Sequence, residues 1–194
     1  MTSGRGEMTT GDGRPATLVL GLGNLLCGDD GLGVVALERL RRRYETPPAV
    51  SLVDGGTLGL ALLPTLEDAD VVWILDAVAA DAPPGTLVAL AGDAVEPALR
   101  GRLSPHQIGV ADLLDALHWR GTWPARVRVL GLVPERLELR IGLSDAVAGS
   151  LDRLVEAAAC ELRESGHALT ARPPDLDASL DHGGGDRVAR ALGL

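Results

Sequence analysis

A chain of 194 residues with 46% hydrophobic content has the size of one domain and enough apolar material to bury a core, which excludes a disordered or disulfide-stapled protein. Its formal net charge of −9 lacks the basic footprint that nucleic acid requires and is repelled by an anionic membrane surface. No stretch reaches the length of a membrane span, Met1 to Pro15 lacks the apolar centre of a signal peptide, and Cys27 and Cys160 stand far apart, so a reducing, cytoplasmic setting is expected.

Residues 1–15, rich in Gly and Thr, read as a disordered lead-in, and the domain is expected over 16–171. Thr17 to Leu22 is a short apolar run ending in glycines, the pattern of a buried strand. Gly31 to Tyr44 reads as a helix, with Leu32, Val35, Ala36 and Leu40 on one face and Pro47-Pro48 as its stop. Val50 to Val53 predicts a second strand, closed by Asp54-Gly55-Gly56. A short helix is expected in Gly59 to Ala69, its start blurred by Pro64. Val71 to Leu75 predicts a third strand, closed by Asp76. After the Pro83-Pro84-Gly85 turn, Thr86 to Leu90 predicts a fourth strand. The loop before it is too short for a crossover, so this strand is expected to pair antiparallel at an edge. Ser104-Pro105 opens a helix to about Trp119, Arg126 to Val133 gives a fifth strand, and Ser144 opens a last helix ended by Gly166. Residues 172–194, rich in Pro, Asp and Gly, read as a flexible tail. Apolar strands alternating with helices imply a three-layer α/β domain: a mostly parallel, twisted five-stranded sheet with helices on both faces and one antiparallel edge strand.

In such sheets ligands sit outside the carboxyl ends of the strands. The polar residues arriving there are Asp29 and Asp30 after strand one, Asp54 after strand two, Asp76 after strand three, and His106 at the start of the helix that follows strand four. Asp30, Asp76 and His106 form a mixed oxygen and nitrogen set suited to zinc, nickel or another divalent ion. Each has a plainer role open to it. Asp30 fits the N-cap of the first helix, Asp76 a strand-end turn, and His106 a place inside the capping box Ser104-Pro105-His106-Gln107. Near a helix N-terminus the dipole disfavours imidazolium, which leaves the neutral ring a metal needs.

Rival chemistries fit less well. Gly21-Leu22-Gly23-Asn24 follows a strand and precedes a helix, as a dinucleotide loop does, but Leu26 stands where the third glycine belongs and two carboxylates would repel phosphate. Cys27 has no neighbouring His in sequence and two acidic neighbours, which suits a small buried residue better than a nucleophile. His118, His167 and His182 have no ligand-like companions.

Four motifs in order carry a resemblance: Gly21-x-Gly23-Asn24-x-Leu26-x-x-Asp29-Asp30-Gly31-x-Gly33, then Asp54-Gly55-Gly56-Thr57, then Asp76-Ala77, then Ser104-Pro105-His106-Gln107. Together they resemble the [NiFe]-hydrogenase maturation endopeptidases, from about Thr17 to Gly166, with Val133-Pro134-Glu135 and Ile141-Gly142-Leu143-Ser144 continuing the likeness. The resemblance implies a metal-dependent endopeptidase that trims the C-terminal extension of a hydrogenase large-subunit precursor already loaded with nickel. Its metal ligands and catalytic residues would be Asp30, Asp76 and His106. Asn24, Asp54, Gly55, Gly56 and Thr57 would lie near the substrate. Members of the family often carry Glu where this chain has Asp30, which leaves both Asp29 and Asp30 open as the ligand. Nickel would come with the substrate, the precursor is the expected partner, and neither nucleic acid nor membrane is one. A non-proteolytic nickel checkpoint or chaperone on the same fold is the alternative.

Overall fold

A computed structural model describes residues 17–100 and 108–173. The expected lead-in over 1–15, the segment 101–107 with Ser104, Pro105, His106 and Gln107, and the tail from 174 onward lie outside the described residues.

Seven strands and five helices follow along the described chain. They are β1 (Thr17–Leu22), α1 (Leu32–Arg43), β2 (Tyr44–Glu45), β3 (Val50–Gly56), α2 (Leu63–Glu67), β4 (Val71–Ala77), β5 (Leu87–Ala91), α3 (Val95–Arg100), α4 (Ile108–Arg120), β6 (Arg126–Leu132), α5 (Asp145–Glu164) and β7 (Thr170–Ala171). Five strands make one sheet in the order β3-β1-β4-β6-β5. β1 pairs parallel with β3 and β4, and β4 with β6; β5 runs antiparallel to β6 at the edge, as its short preceding loop predicts. The two-residue strands β2 and β7 pair with each other, and Arg172 N–H reaches Arg43 O beside them at 2.8 Å.

The core has two halves because every central strand is apolar on both faces. Val19, Val71, Trp73, Leu75, Leu130 and Leu132 pack against α1 and α5. Leu18, Leu20, Leu22, Val72, Ile74 and Val129 pack against α2, α3 and α4. This alternation is the period of two that a strand imposes.

Strand order reverses at β1. From β1 the chain crosses through α1 to β3 on one side, then through α2 to β4 on the other. The carboxyl ends of β1 and β4 therefore flank a topological switch point, where open α/β sheets leave their crevice. Residues 29–30 follow one of these strands and Asp76 ends the other.

Besides the short β2–β7 pair, three local features differ from the sequence expectation. α1 is preceded by a separate 3-10 turn, Gly28–Gly31. The segment after β3 is a 3-10 turn, Gly59–Leu62, leading into a five-residue α2 with Pro64 in its first turn, because proline suits the start of a helix and breaks its interior. α3 was not expected, since six residues containing Pro97 show too little period to read.

Candidate active site

The glycines of the first motif set how closely α1 sits on the sheet. A methyl group at Gly33 would lie 2.0 Å from Leu75 O and 2.4 Å from Leu22 O. One at Gly21 would lie 2.7 Å from Gly33 O. Only bare glycine backbone lets the start of α1 press onto the last turns of β1 and β4. Gly23, at φ 123°, lies where a methyl would strike Asp30 O, so the chain folds back on itself and carries residues 29–30 against the sheet end. The 3-10 turn that bears Asp30 touches β4, the strand that bears Asp76.

Asp30 and Asp76 are 1% and 0% exposed. The N-cap of α1 is Gly31, not Asp30; Asp30 Oδ2 instead accepts the N–H of Asn24 at 2.8 Å. Asp76 stays within β4, opposite Gly131 of β6, and its Oδ1 accepts the N–H of Ala77 at 2.7 Å. Asp30 thus sits in the 3-10 turn without capping α1, and Asp76 lies in a strand rather than in a turn. Strand alternation places Asp76 on the same face as Val72 and Ile74, the side covered by α4.

His106 lies outside the described residues; the direction of α4 itself follows from its described end. Its far end is fixed at the amino edge of the sheet: Arg120 pairs with Glu67 at the end of α2, Thr122 Oγ1 also reaches Glu67, and Arg126 N–H reaches Asp70 O just before β4. Thirteen residues of helix rise ~20 Å, about the length of a seven-residue strand. α4 therefore begins toward the carboxyl edge, where Asp30 and Asp76 stand.

Asp29, fully buried beside Asp30, has a different task. Its Oδ2 accepts N–H bonds from Glu135 (2.8 Å) and Arg136 (3.0 Å) and the hydroxyl of Ser144 (2.9 Å); its Oδ1 accepts Ser144 N–H at 2.7 Å. Ser144 is also the N-cap of α5, so one carboxylate joins the first loop, the 135–141 segment and a helix start. With both oxygens engaged by protein donors, Asp29 is a structural latch, while the carboxylate of Asp30 turns the other way, to Asn24 N–H. Sequence reasoning left the two aspartates open; only the direction of each side chain separates them.

The remaining expected residues surround this centre. Asn24 is half-buried and builds the loop: its Oδ1 accepts Leu26 N–H at 3.0 Å and its carbonyl accepts Cys27 N–H at 3.0 Å. Gly23 N–H reaches Gly56 O at 3.0 Å, which ties the Asp54-Gly55-Gly56-Thr57 turn to the first loop. Asp54 and Thr57 are exposed; Gly55 is buried under Leu20, Leu22 and Leu62. Cys27 is buried, and burial first, then the charge of Asp30, hold its thiol above the usual value, so it is a poor nucleophile. Among the described residues no group of three or more His, Cys, Asp and Glu gathers as a metal set. His118 lies elsewhere, stacked on Trp123 and 3.0 Å from Glu96, and buried His167 bonds Thr17 Oγ1 at 2.9 Å.

Comparison with known proteins bears on the family and the fold. The hydrogenase maturation protease family profile matches residues 34–161. The chain is 39% identical over 150 residues to the hydrogenase 2 maturation protease of Escherichia coli K12, spanning 77% of this chain and 92% of that protein. It is 42% identical over 156 residues to the hydrogenase expression/formation protein HupD of Rhodobacter capsulatus, 79% of this chain and 74% of that one. The solved structure of the hydrogenase maturating endopeptidase HybD from E. coli superimposes with a TM-score of 0.75 at 39% identity, covering 80% of this chain and 97% of that one. The [NiFe] hydrogenase maturation protease HybD from Thermococcus kodakarensis superimposes with a TM-score of 0.59 at 29% identity, over 75% of this chain and 97% of that one. With matches of this extent in sequence and in fold, the chain belongs to the hydrogenase maturation protease family.

Proposed function

We propose that the protein is an endopeptidase that removes the C-terminal extension of a [NiFe]-hydrogenase large-subunit precursor already carrying nickel. Asp30 and Asp76 offer carboxylate oxygens and His106 an imidazole nitrogen to the nickel that the substrate brings. Three such donors suit a divalent ion and leave positions open for the precursor's own groups. Nickel in that position would polarise the scissile carbonyl or acidify a water. One of the two carboxylates takes the proton as general base. Asn24 and the Asp54-Gly55-Gly56-Thr57 turn border the substrate, and the reaction takes place in the cytoplasm.

The observation that supports this reading best is the burial of two carboxylates on touching elements at the switch point of the sheet. Burying like charges together is costly unless a cation or hydrogen-bond donors compensate them. Their dependence on substrate nickel would make cleavage conditional on metal insertion. No described helix is long and apolar enough to cross a membrane.

The test is mass spectrometry of the precursor's C-terminus after mixing with the protein. Nickel-loaded precursor should lose its extension, and nickel-free precursor should remain whole. Asp76→Asn should abolish cleavage; unchanged turnover would remove Asp76 from the site. Precursor that is bound and released uncut would favour the checkpoint or chaperone reading instead.

A further inference from the structure

Seven large apolar side chains stand exposed among the described residues. Six of them occupy the loops at the carboxyl edge: Leu26, Leu58, Leu60, Leu137, Leu139 and Ile141. The seventh, Trp119, lies near the end of α4 at the opposite edge. Single exposed apolar residues are ordinary, but a group of six confined to one edge marks an interaction surface.

Backbone hydrogen bonds show that the three loops form one surface. The first loop is the central element. On one side Gly23 N–H bonds Gly56 O, beside Leu58 and Leu60. On the other side Arg140 N–H bonds Leu26 O at 2.8 Å and Gly28 N–H bonds Arg140 O at 2.7 Å, which sets Leu26 beside the Leu137–Ile141 segment. That segment is also held by the Asp29 carboxylate through Glu135 and Arg136. It projects Leu139 outward at 84% exposure while its backbone is pinned, so little ordering remains to be done on binding.

We infer that this aliphatic rim is the docking surface for the precursor and takes an apolar stretch of that chain next to the scissile bond. The inference rests on the endopeptidase reading above. Three observations favour this occupant. The central loop of the rim also carries Asp30, so a peptide presented to Asp30 and Asp76 must lie across it. The charges of the 135–141 segment cancel, Glu135 and Glu138 against Arg136 and Arg140, so recognition there is apolar rather than electrostatic. A second copy of this chain seated on the rim would cover its own site, which argues against self-association as the purpose of the surface.

The test combines Leu58→Glu with Leu139→Glu, both on exposed side chains, and uses Trp119→Glu as the control at the far edge. Steady-state cleavage of nickel-loaded precursor should show KM raised at least tenfold with kcat within about threefold of wild type, the pattern of lost uniform binding. The control should cleave as wild type does. Anisotropy of labelled precursor with Asp76→Asn protein should show the same tenfold loss when the rim changes are added. Unchanged KM, a fall in kcat alone, or an equal defect in the control overturns the inference. So does a concentration-dependent dimer that the rim changes dissolve while cleavage stays intact. Wild-type protein that leaves the precursor uncut sinks the endopeptidase reading instead, and the anisotropy arm then still decides whether the rim binds it.

Discussion

Replacing Asp29 by asparagine separates structure from chemistry at this edge. The carboxylate takes four hydrogen bonds, three on Oδ2 and one on Oδ1. An amide must present NH2 on one side. The less costly orientation keeps the carbonyl toward Glu135, Arg136 and Ser144 Oγ, and turns the NH2 toward Ser144 N–H, a donor 2.7 Å from the oxygen it replaces. That buried N–H loses its acceptor, which costs about 1–3 kcal/mol. The three retained bonds change from charge-assisted to neutral, and burying a neutral group rather than an ion offsets part of that loss. A net destabilisation of about 2–4 kcal/mol is expected, against a total of about 5–15 kcal/mol for a domain. In a domain of this size it lowers Tm by roughly 5–15 °C. Urea unfolding followed by circular dichroism gives the free-energy difference, and calorimetry gives the midpoint. A variant within about 0.5 kcal/mol of wild type would refute the latch, because ordinary surface substitutions fall in that range.

The neighbouring carboxylates should behave in the opposite way. Asp30→Asn and Asp76→Asn should abolish precursor cleavage while the fold is kept, since the amide oxygen can still accept the backbone N–H that each carboxylate takes; a fall of more than about 2 kcal/mol in stability would make them structural instead. Gly33→Ala should destabilise by about 1–3 kcal/mol or more, because the methyl meets two carbonyl oxygens, whereas helix propensity alone predicts a gain of ~0.5–1 kcal/mol. Thermal melting reads that sign directly. Cys27 should resist iodoacetamide at pH 8 in the folded protein while exposed Cys160 reacts, and alkylated protein should cleave as well as untreated; peptide mapping and the cleavage assay check both points.

How far the sequence was legible follows from what each feature encodes. β1 and β4 are nearly continuous apolar runs, so their burial on both faces could be read from residue type alone, whereas β6 starts with exposed Arg126 and Arg128 and is buried only from Val129 on. The antiparallel edge strand followed from loop length alone. β2 and β7 were invisible because two residues carry no period; their pairing depends on where α1 and α5 happen to end. At this edge, residue types and spacing pointed to Asp30 and Asp76 as candidates, but not to the different partners that Asp29 and Asp30 take. Adjacent identical side chains leave a 3-10 turn in different directions, and only their partners, Ser144 and Asn24, tell them apart. The outward set of Leu137, Leu139 and Ile141 was missed for a related reason. Aliphatic residues at alternate positions carry no sign of whether sheet or solvent lies beyond them.

The glycine-rich first loop shows how one backbone device serves opposite electrostatics. In a phosphate-binding loop, glycines after a strand let an anion approach the open N–H groups of the following helix. Here the same placement of Gly21, Gly23 and Gly33 draws α1 so tightly onto β1 and β4 that the helix start is sealed. Gly28, Asp29, Asp30, Gly31 and Leu32 are all buried, and a methyl at Gly31 would meet Leu25 Cα at 2.9 Å. Those N–H groups lie under packed backbone, and the acidic side chains beside them would repel a phosphate. The close packing that disfavours an anion also presses the loop carrying Asp30 against the strand carrying Asp76, and the proposed mechanism uses that pair of carboxylates for a cation. Nucleotides should therefore leave the melting temperature unchanged, whereas nickel, cobalt or cadmium should raise it. A nucleotide-induced rise would mean that the start of α1 opens in solution, and the sealed-helix argument would fail with it.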